Sequence, residues 1–349
     1  MSATVDTRQE TAGKPPRISS RRLTERVFRI RESGIIVVLI VFVAITVSIE
    51  PRFASQQEVQ FILANTTIFA LLALGETMVI VSRNVDLSIG SVVGLSAYVS
   101  ASLFGKIHGI PIVVVFLVGL GIGLAVGVAN GLMVAIGRVP SLVVTLATLY
   151  IVRGLDILIV GGNEVVAQTL PNAFIQIPRA GIYGVPYLAI VIAVVIGIGA
   201  YYMRSYRSGR ELYAIGSNPE AARLAGIAVG RRVFTAFAVS GAIAGVAGVL
   251  WAAQYQTVDS NAGTGYELTV IASVVVGGVA IFGGSGSAVG AAIGALLLQT
   301  INSALYVLGI SPFWNQAIWG LLLLLAITLD RFISVRLTAA LRVRGARHE

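Results

Sequence analysis

Cysteine is absent from the chain, and histidine occurs only at His108 and His348. The first absence excludes disulfide staples and cysteine-ligated metal sites. The second leaves too few imidazoles for a histidine metal cluster. Charge is also scarce: Asp, Glu, Lys and Arg make up 12% of 349 residues, against 56% hydrophobic residues. A soluble domain of this length needs far more charge to cover its surface, so the composition specifies a polytopic membrane protein built from α-helices. No G-x-x-x-x-G-K-[ST] phosphate loop is present, since Lys14 and Lys106 each follow a glycine in the wrong context. Nor is there a Ser/His/Asp set, an H-E-x-x-H pair or a paired-carboxylate spacing. These absences point away from an enzyme, and no cofactor, metal or catalytic residue is expected.

What is present is a series of apolar runs, over roughly residues 34–49, 60–82, 88–104, 111–135, 141–160, 186–203, 233–253, 268–282, 286–310 and 313–329. They predict about ten transmembrane helices. Several fall short of the ~20 residues needed to cross directly, which marks broken or partly re-entrant elements. The net charge of +9 does not call for nucleic acid, because the basic residues cluster as a membrane topology requires. Arg8 to Arg31, Arg83, Arg138, Arg204 to Arg232 and Arg331 to Arg347 fall on one side of a ten-span path. Only Arg52, Lys106 and Arg179 fall on the other. This asymmetry predicts cytoplasmic termini and a cytoplasmic loop over 204–232. The expected organisation is a disordered basic tail (1–33), a permease domain (34–332) and a second basic tail (333–349). The first apolar run follows a long polar tail, and the IEPRFAS after it is a poor cleavage site, so it reads as a retained span.

Thirty-nine glycines, many inside the spans (Gly119, Gly123, Gly127, Gly131, Gly286, Gly290, Gly294), fit close helix approach or helix breaks along a path. The pattern G-S-x-V-G occurs at Gly90–Gly94 and Gly286–Gly290, in runs pointing the same way, so it does not mark an inverted repeat. In RNVDLSIGS (83–91), Asp86 either caps a helix, with Ser88 and Ser91 on its first turns and Arg83 as its partner, or faces a polar solute at a broken helix. Asn130 either bonds a neighbouring helix or lines a pore. Arg153 and Asp156, three apart on one face, read as an intramembrane pair. Glu76 has no local partner and is left as a protonated donor, a path residue or a partner for Arg83. Thr145, Glu267 in QTVDSNAGTGYEL, Asn302 and Gln316 complete the candidate substrate path. Neutral amides without charge clusters suit a hydroxylated neutral solute better than an ion.

Residues 209–227, GRELYAIGSNPEAARLAGI, form a polar segment between apolar runs. Asn218 is a good N-cap, Pro219 suits the first helical position, Glu220 favours the positive helix end and Gly226 supplies the stop. The resulting helix of about seven residues is too short to be stable alone. It must dock on this chain's own ends or in a groove of a separate protein, with Ala221, Ala222, Leu224 and Ala225 as the apolar contact and Arg223 beside them.

The segment YAIGSNPEAARLAGI resembles the coupling segment of sugar-type ABC transporter permeases, the ribose, xylose, arabinose and rhamnose group. RNVDLSIGS, ANGLMVAIGRVPSLVVTLAT, GTGYELTVIASVVVGGVAIFGGSGS and SPFWNQAIWGLLLLLAITLD resemble that family's further motifs, in order, over nearly residues 60–330. Ala147, Ser141 and Glu76 depart from its usual pattern, and RNVDLS is most similar to the rhamnose and autoinducer-2 importers. The resemblance implies a multi-pass protein of the bacterial inner membrane that imports a monosaccharide. Its implied partners are an ABC ATPase subunit, an extracytoplasmic sugar-binding protein and a second permease chain, in the lipid bilayer. Rival readings are a permease for nucleosides or branched-chain amino acids, a proton-coupled secondary transporter using Glu76 or Asp86, and a channel.

Overall fold

The computed structural model of the chain describes residues 20–311, 313–322, 324–325 and 328, with side chains from residue 33 onward. Apolar runs become helices because only a helix satisfies its own backbone in a bilayer. In chain order these are α1 (Ser20–Ile49), α2 (Gln56–Val81), α3 (Ile89–Lys106), α4 (Ile112–Ala135), α5 (Ser141–Val160), α6 (Asn172–Ile175), α7 (Tyr187–Ser205), α8 (Arg207–Ser217), α9 (Pro219–Leu224), α10 (Val229–Tyr255), α11 (Tyr266–Val276) and α12 (Ala288–Val307). A further helical stretch covers residues 314–322. Six helices among the described residues, α2, α4, α5, α7, α10 and α12, are long and apolar enough to cross a membrane.

The departures from expectation have local causes. Residues 20–33, read as part of a disordered tail, continue α1 as helix, while residues 1–19 and the tail over 333–349 lie outside the described residues. The run expected over 268–282 stops at Val276, because Gly277 and the positive φ of Gly278 turn the chain. The polar segment 209–227 is two helices rather than one, divided where Asn218 adopts an extended conformation. Between α5 and α7 lies a small antiparallel pair, β1 (Gly181–Ile182) with β2 (Val185–Pro186).

The α10 helix is the axis of the bundle. It packs on α4, α3 and α2, while α12 packs on α2 and α11. The α4–α10 crossing depends on glycine: a Cβ at Gly123 would sit 2.7 Å from the Gly245 Cα, and one at Gly127 3.0 Å from the Gly241 Cα. At this crossing Ser96 donates to the Gly245 carbonyl at 2.6 Å. The glycine spacing seen in the sequence is therefore an approach surface.

Candidate functional site

Two interruptions of the apolar chain carry the polar chemistry. The first is the turn between α2 and α3. Glu76, fully buried in α2, accepts from the Asp86 N–H at 3.1 Å. Asp86 Oδ1 accepts from both the N–H (2.9 Å) and the hydroxyl (2.6 Å) of Ser88. The Ser88 hydroxyl accepts from Asn130 Nδ2 at 2.9 Å, and Thr148 donates to Asn130 Oδ1 at 2.7 Å. Thr145 donates to the Val85 carbonyl at 3.2 Å, and Ser141 accepts from the Val85 N–H at 3.2 Å. One network thus ties α2, the turn, α3, α4 and α5 together, with Glu76, Asp86, Ser88, Asn130 and Thr145 all buried. Buried groups satisfied in this way hold a unique arrangement.

The expected cap role of Asp86 takes a different form. The cap position of α3 is Ser88, which makes no side-chain cap bond, and Asp86 instead folds onto Ser88. Arg83 is not a partner of Asp86 or Glu76: it is exposed, and Glu76 bonds the Asp86 backbone. Glu76 Oε2 has no partner among the described residues.

Glu267 lies on the other flank of α3. Its carboxylate and the Gly263 carbonyl occupy the space a Cβ at Gly90 would need. One turn on, Gly94 leaves room for the pair of Arg153 and Asp156, 3.6 Å apart. Arg153 also donates to the Ser260 and Ala262 carbonyls at 3.1 and 2.7 Å, fastening the loop before α11 onto α5. Asn302 and Gln316 share no hydrogen bond with the network among the described residues. Asn302 accepts from Asn315 at 2.5 Å, and Gln316 is exposed.

The second interruption is the α8–α9 segment. Asn218 Oδ1 accepts from the N–H groups of Glu220 and Ala221, both at 3.1 Å, and Pro219 opens α9. Gly226 follows at φ +78°. Glu220 and Arg223 pair at 2.9 Å on the exposed side. Ala222 is buried beneath them, and Leu224 is 91% exposed. In α8, Glu211 is clamped by Arg232 of α10 at 2.5 Å and by Arg207 at 2.8 Å. Hydrogen bonding to Arg232, more than to Arg207, holds its carboxyl below the usual range despite partial burial. Tyr213 donates to the Gly286 carbonyl at 3.1 Å, and burial pushes its phenol up to about 12. Gly216 packs where a Cβ would meet the backbone of Val81 and Gly284. This segment therefore touches the end of α2, the 277–287 turn and α10.

Sequence reading missed the Glu211–Arg232 clamp, whose partners are 21 residues apart, and Thr148. It also missed an aromatic cluster at the far end of α10. There Trp251 donates to the Tyr266 hydroxyl at 2.8 Å and Tyr255 to Asn65 Oδ1 at 2.8 Å, while Phe69 packs on Tyr266 with ring centroids 4.5 Å apart. The aromatic composition was visible, but nothing in it showed which rings meet.

The family model described as branched-chain amino acid transport system / permease component matches residues 59–327. The chain belongs to this permease family. The permease is 35% identical to the autoinducer 2 import system permease protein LsrC of Enterobacter sp. (strain 638), over 88% of this chain and 89% of that protein. It is 33% identical to the ribose import permease protein RbsC of Escherichia coli (strain K12), over 90% and 97% respectively. A third relative, RbsC of Haemophilus influenzae, is 33% identical over 86% and 93%. No solved structure matches the permease. Its relatives are transport permeases of import systems rather than enzymes, and the six long apolar helices among its described residues make it a multi-pass membrane protein.

Proposed function

We propose that the permease is the membrane subunit of an ATP-driven importer that carries a neutral monosaccharide into a bacterial cell through its inner membrane. The observation that carries the coupling part is α9, a capped six-residue helix presenting a 91% exposed leucine and held to the bundle by α8. A helix this short needs a host, and an ABC ATPase subunit is the host that the family supplies. Asn218, Pro219, Glu220, Ala221, Ala222, Arg223, Leu224 and Gly226 form this docking tip. In this reading ten apolar helices enter the bilayer, α11 only part-way, and the tip, the two turns and both termini face the cytoplasm. A second permease chain completes the path, and an extracytoplasmic binding protein delivers the sugar.

Asp86, Ser88, Asn130 and Thr145 are the polar groups the path exposes when the joint between α2, α3, α4 and α5 rocks. Glu267 flanks them, and Asn302 and Gln316 belong to a separate segment of the path. The names of the relatives support a pentose or an autoinducer-2-like solute, and the family description keeps branched-chain amino acids as the second substrate class.

The test is co-purification of tagged permease from its host in mild detergent, followed by liposome uptake of D-ribose and of L-leucine. The expected result is recovery of a phosphate-loop ATPase and ribose uptake that requires ATP and the binding protein. Leucine uptake under the same requirements would move the substrate class. Solute flux without ATP, or flux abolished by a protonophore while ATP is maintained, would overturn the reading.

A further inference from the structure

A recess of about 690 Å³ opens where the ends of α2 and α4 meet α9 and the start of α10. Arg83, Arg138 and Arg223, from three separate elements, line it, together with the neutral polar residues Ser82, Asn84 and Ser141. No aspartate or glutamate is among its lining residues. Arg223 is offset by Glu220, but Arg83 and Arg138 make no ion pair among the described residues.

Both of those arginines have left-handed backbones, at φ +67° and +55°, just past the ends of α2 and α4. Glycine is the unstrained residue at such positions. Membrane topology asks only for basic residues in these turns. It does not ask for three of them around one void, or for a strained position to hold two of the three. Backbone strain of this kind persists where the side chain it presents is used.

We propose that the recess binds the phosphate group of an anionic solute on the α9 side of the membrane, of the class of a monosaccharide phosphate. Guanidinium forks match phosphate oxygens in geometry as well as charge, and the volume suits a phosphorylated sugar within the usual range of ligand pockets, roughly 300–1,000 Å³. Such a ligand is what phosphoryl transfer to an imported sugar would generate. Because Pro219 and Arg223 of the docking tip belong to the lining, bound product sits against the element that meets the ATPase. The inference rests on the cytoplasmic placement of α9 proposed above.

The test uses the permease in nanodiscs, alone and with its ATPase, titrated calorimetrically with D-ribose 5-phosphate and with D-ribose. One set of discs is neutral phosphatidylcholine and the other contains phosphatidylglycerol. The expected result in neutral discs is saturable binding of the phosphate ester and none of the free sugar. Arg83→Gly and Arg138→Gly should each weaken binding at least tenfold while melting no lower than wild type, because each substitution also relieves a left-handed backbone. That combination separates a lost site from a misfolded one. Suppression of that binding by phosphatidylglycerol would identify a lipid headgroup as the occupant of the recess. Absence of binding in both discs would overturn the proposal, as would binding that disappears when the ATPase joins, since the recess would then be a protein contact. Ribose uptake is measured on the same preparation. Uptake without phosphate binding sinks only this inference, whereas absent uptake sinks the importer reading and leaves the titration interpretable.

Discussion

The turn between α2 and α3 and the α8–α9 segment both interrupt an apolar chain with polar residues, yet they are built in opposite ways. Around Asp86 the polar groups bond across elements, from Glu76 through Ser88 and Asn130 to Thr148, and those groups are buried. In α9 the polar groups bond only within the element, through Asn218 to its own N–H groups and Glu220 to Arg223. Its apolar residue Leu224 points away from the rest of the chain's contacts at 91% exposure. The first is a joint that fixes helices relative to one another. The second is a tip seated on the bundle by the buried Ala222, with Leu224 left exposed. Glu211 links the two regimes, because its clamp to Arg232 ties the base of the tip to the central helix.

Substitutions grade this contrast from the largest expected loss of stability to the smallest. Gly123→Leu forces a side chain into the Gly245 backbone at the α4–α10 crossing. It should cost about 3 kcal/mol or more, read as loss of the monodisperse peak in detergent. Asn130→Leu leaves Ser88 and Thr148 without their partner. The expected cost is about 1–3 kcal/mol, nearer the lower figure if the helices find other partners in the membrane, measured as a lowered melting midpoint. A melting curve unchanged from wild type would mean that the network is not a joint.

At the clamp, Arg232→Gln should destabilise more than Arg207→Gln, because the Arg207 side chain is 83% exposed and that of Arg232 only 25%. The pH dependence has a definite sign. Glu211 is held below the usual carboxylate range when folded, so its contribution is fully present above the unfolded value, about 4.3. It is lost as pH falls through the lower folded value. Wild type should therefore keep this increment down to about pH 4.3 and lose it below, while Glu211→Gln should lack it at neutral pH and show a shallower acid slope. Last, Leu224→Ala should shift stability by no more than about 0.5 kcal/mol and yet uncouple ATP hydrolysis from uptake. Unimpaired uptake in that variant would remove α9 from the coupling role.

Local signals in the sequence were legible where one residue decides the backbone. Asn218 before Pro219, with Gly226 closing, specified α9 almost to the residue, because capping chemistry acts within three or four positions. The three-residue spacing of Arg153 and Asp156 likewise became an ion pair. Asp86, Ser88, Asn130 and Thr145 were visible as polar residues in apolar surroundings, but their joining was not. Asn130 and Ser88 lie 42 residues apart and Tyr255 and Asn65 lie 190 apart, and no helical period spans such separations. Arg83 was misplaced as a partner for a carboxylate because charge complementarity in a sequence carries no direction. The left-handed backbone that turns it to the recess is set by the end of α2.

The continuous α10 helix has a mechanical consequence. Its 27 residues make a rod roughly 40 Å long, gripped at one end by Glu211 and crowned at the other by Trp251 and Tyr255. A rod pivoting where glycines cross it near its middle behaves as a seesaw. A tilt about that crossing would carry the clamp and the aromatic crown in opposite directions.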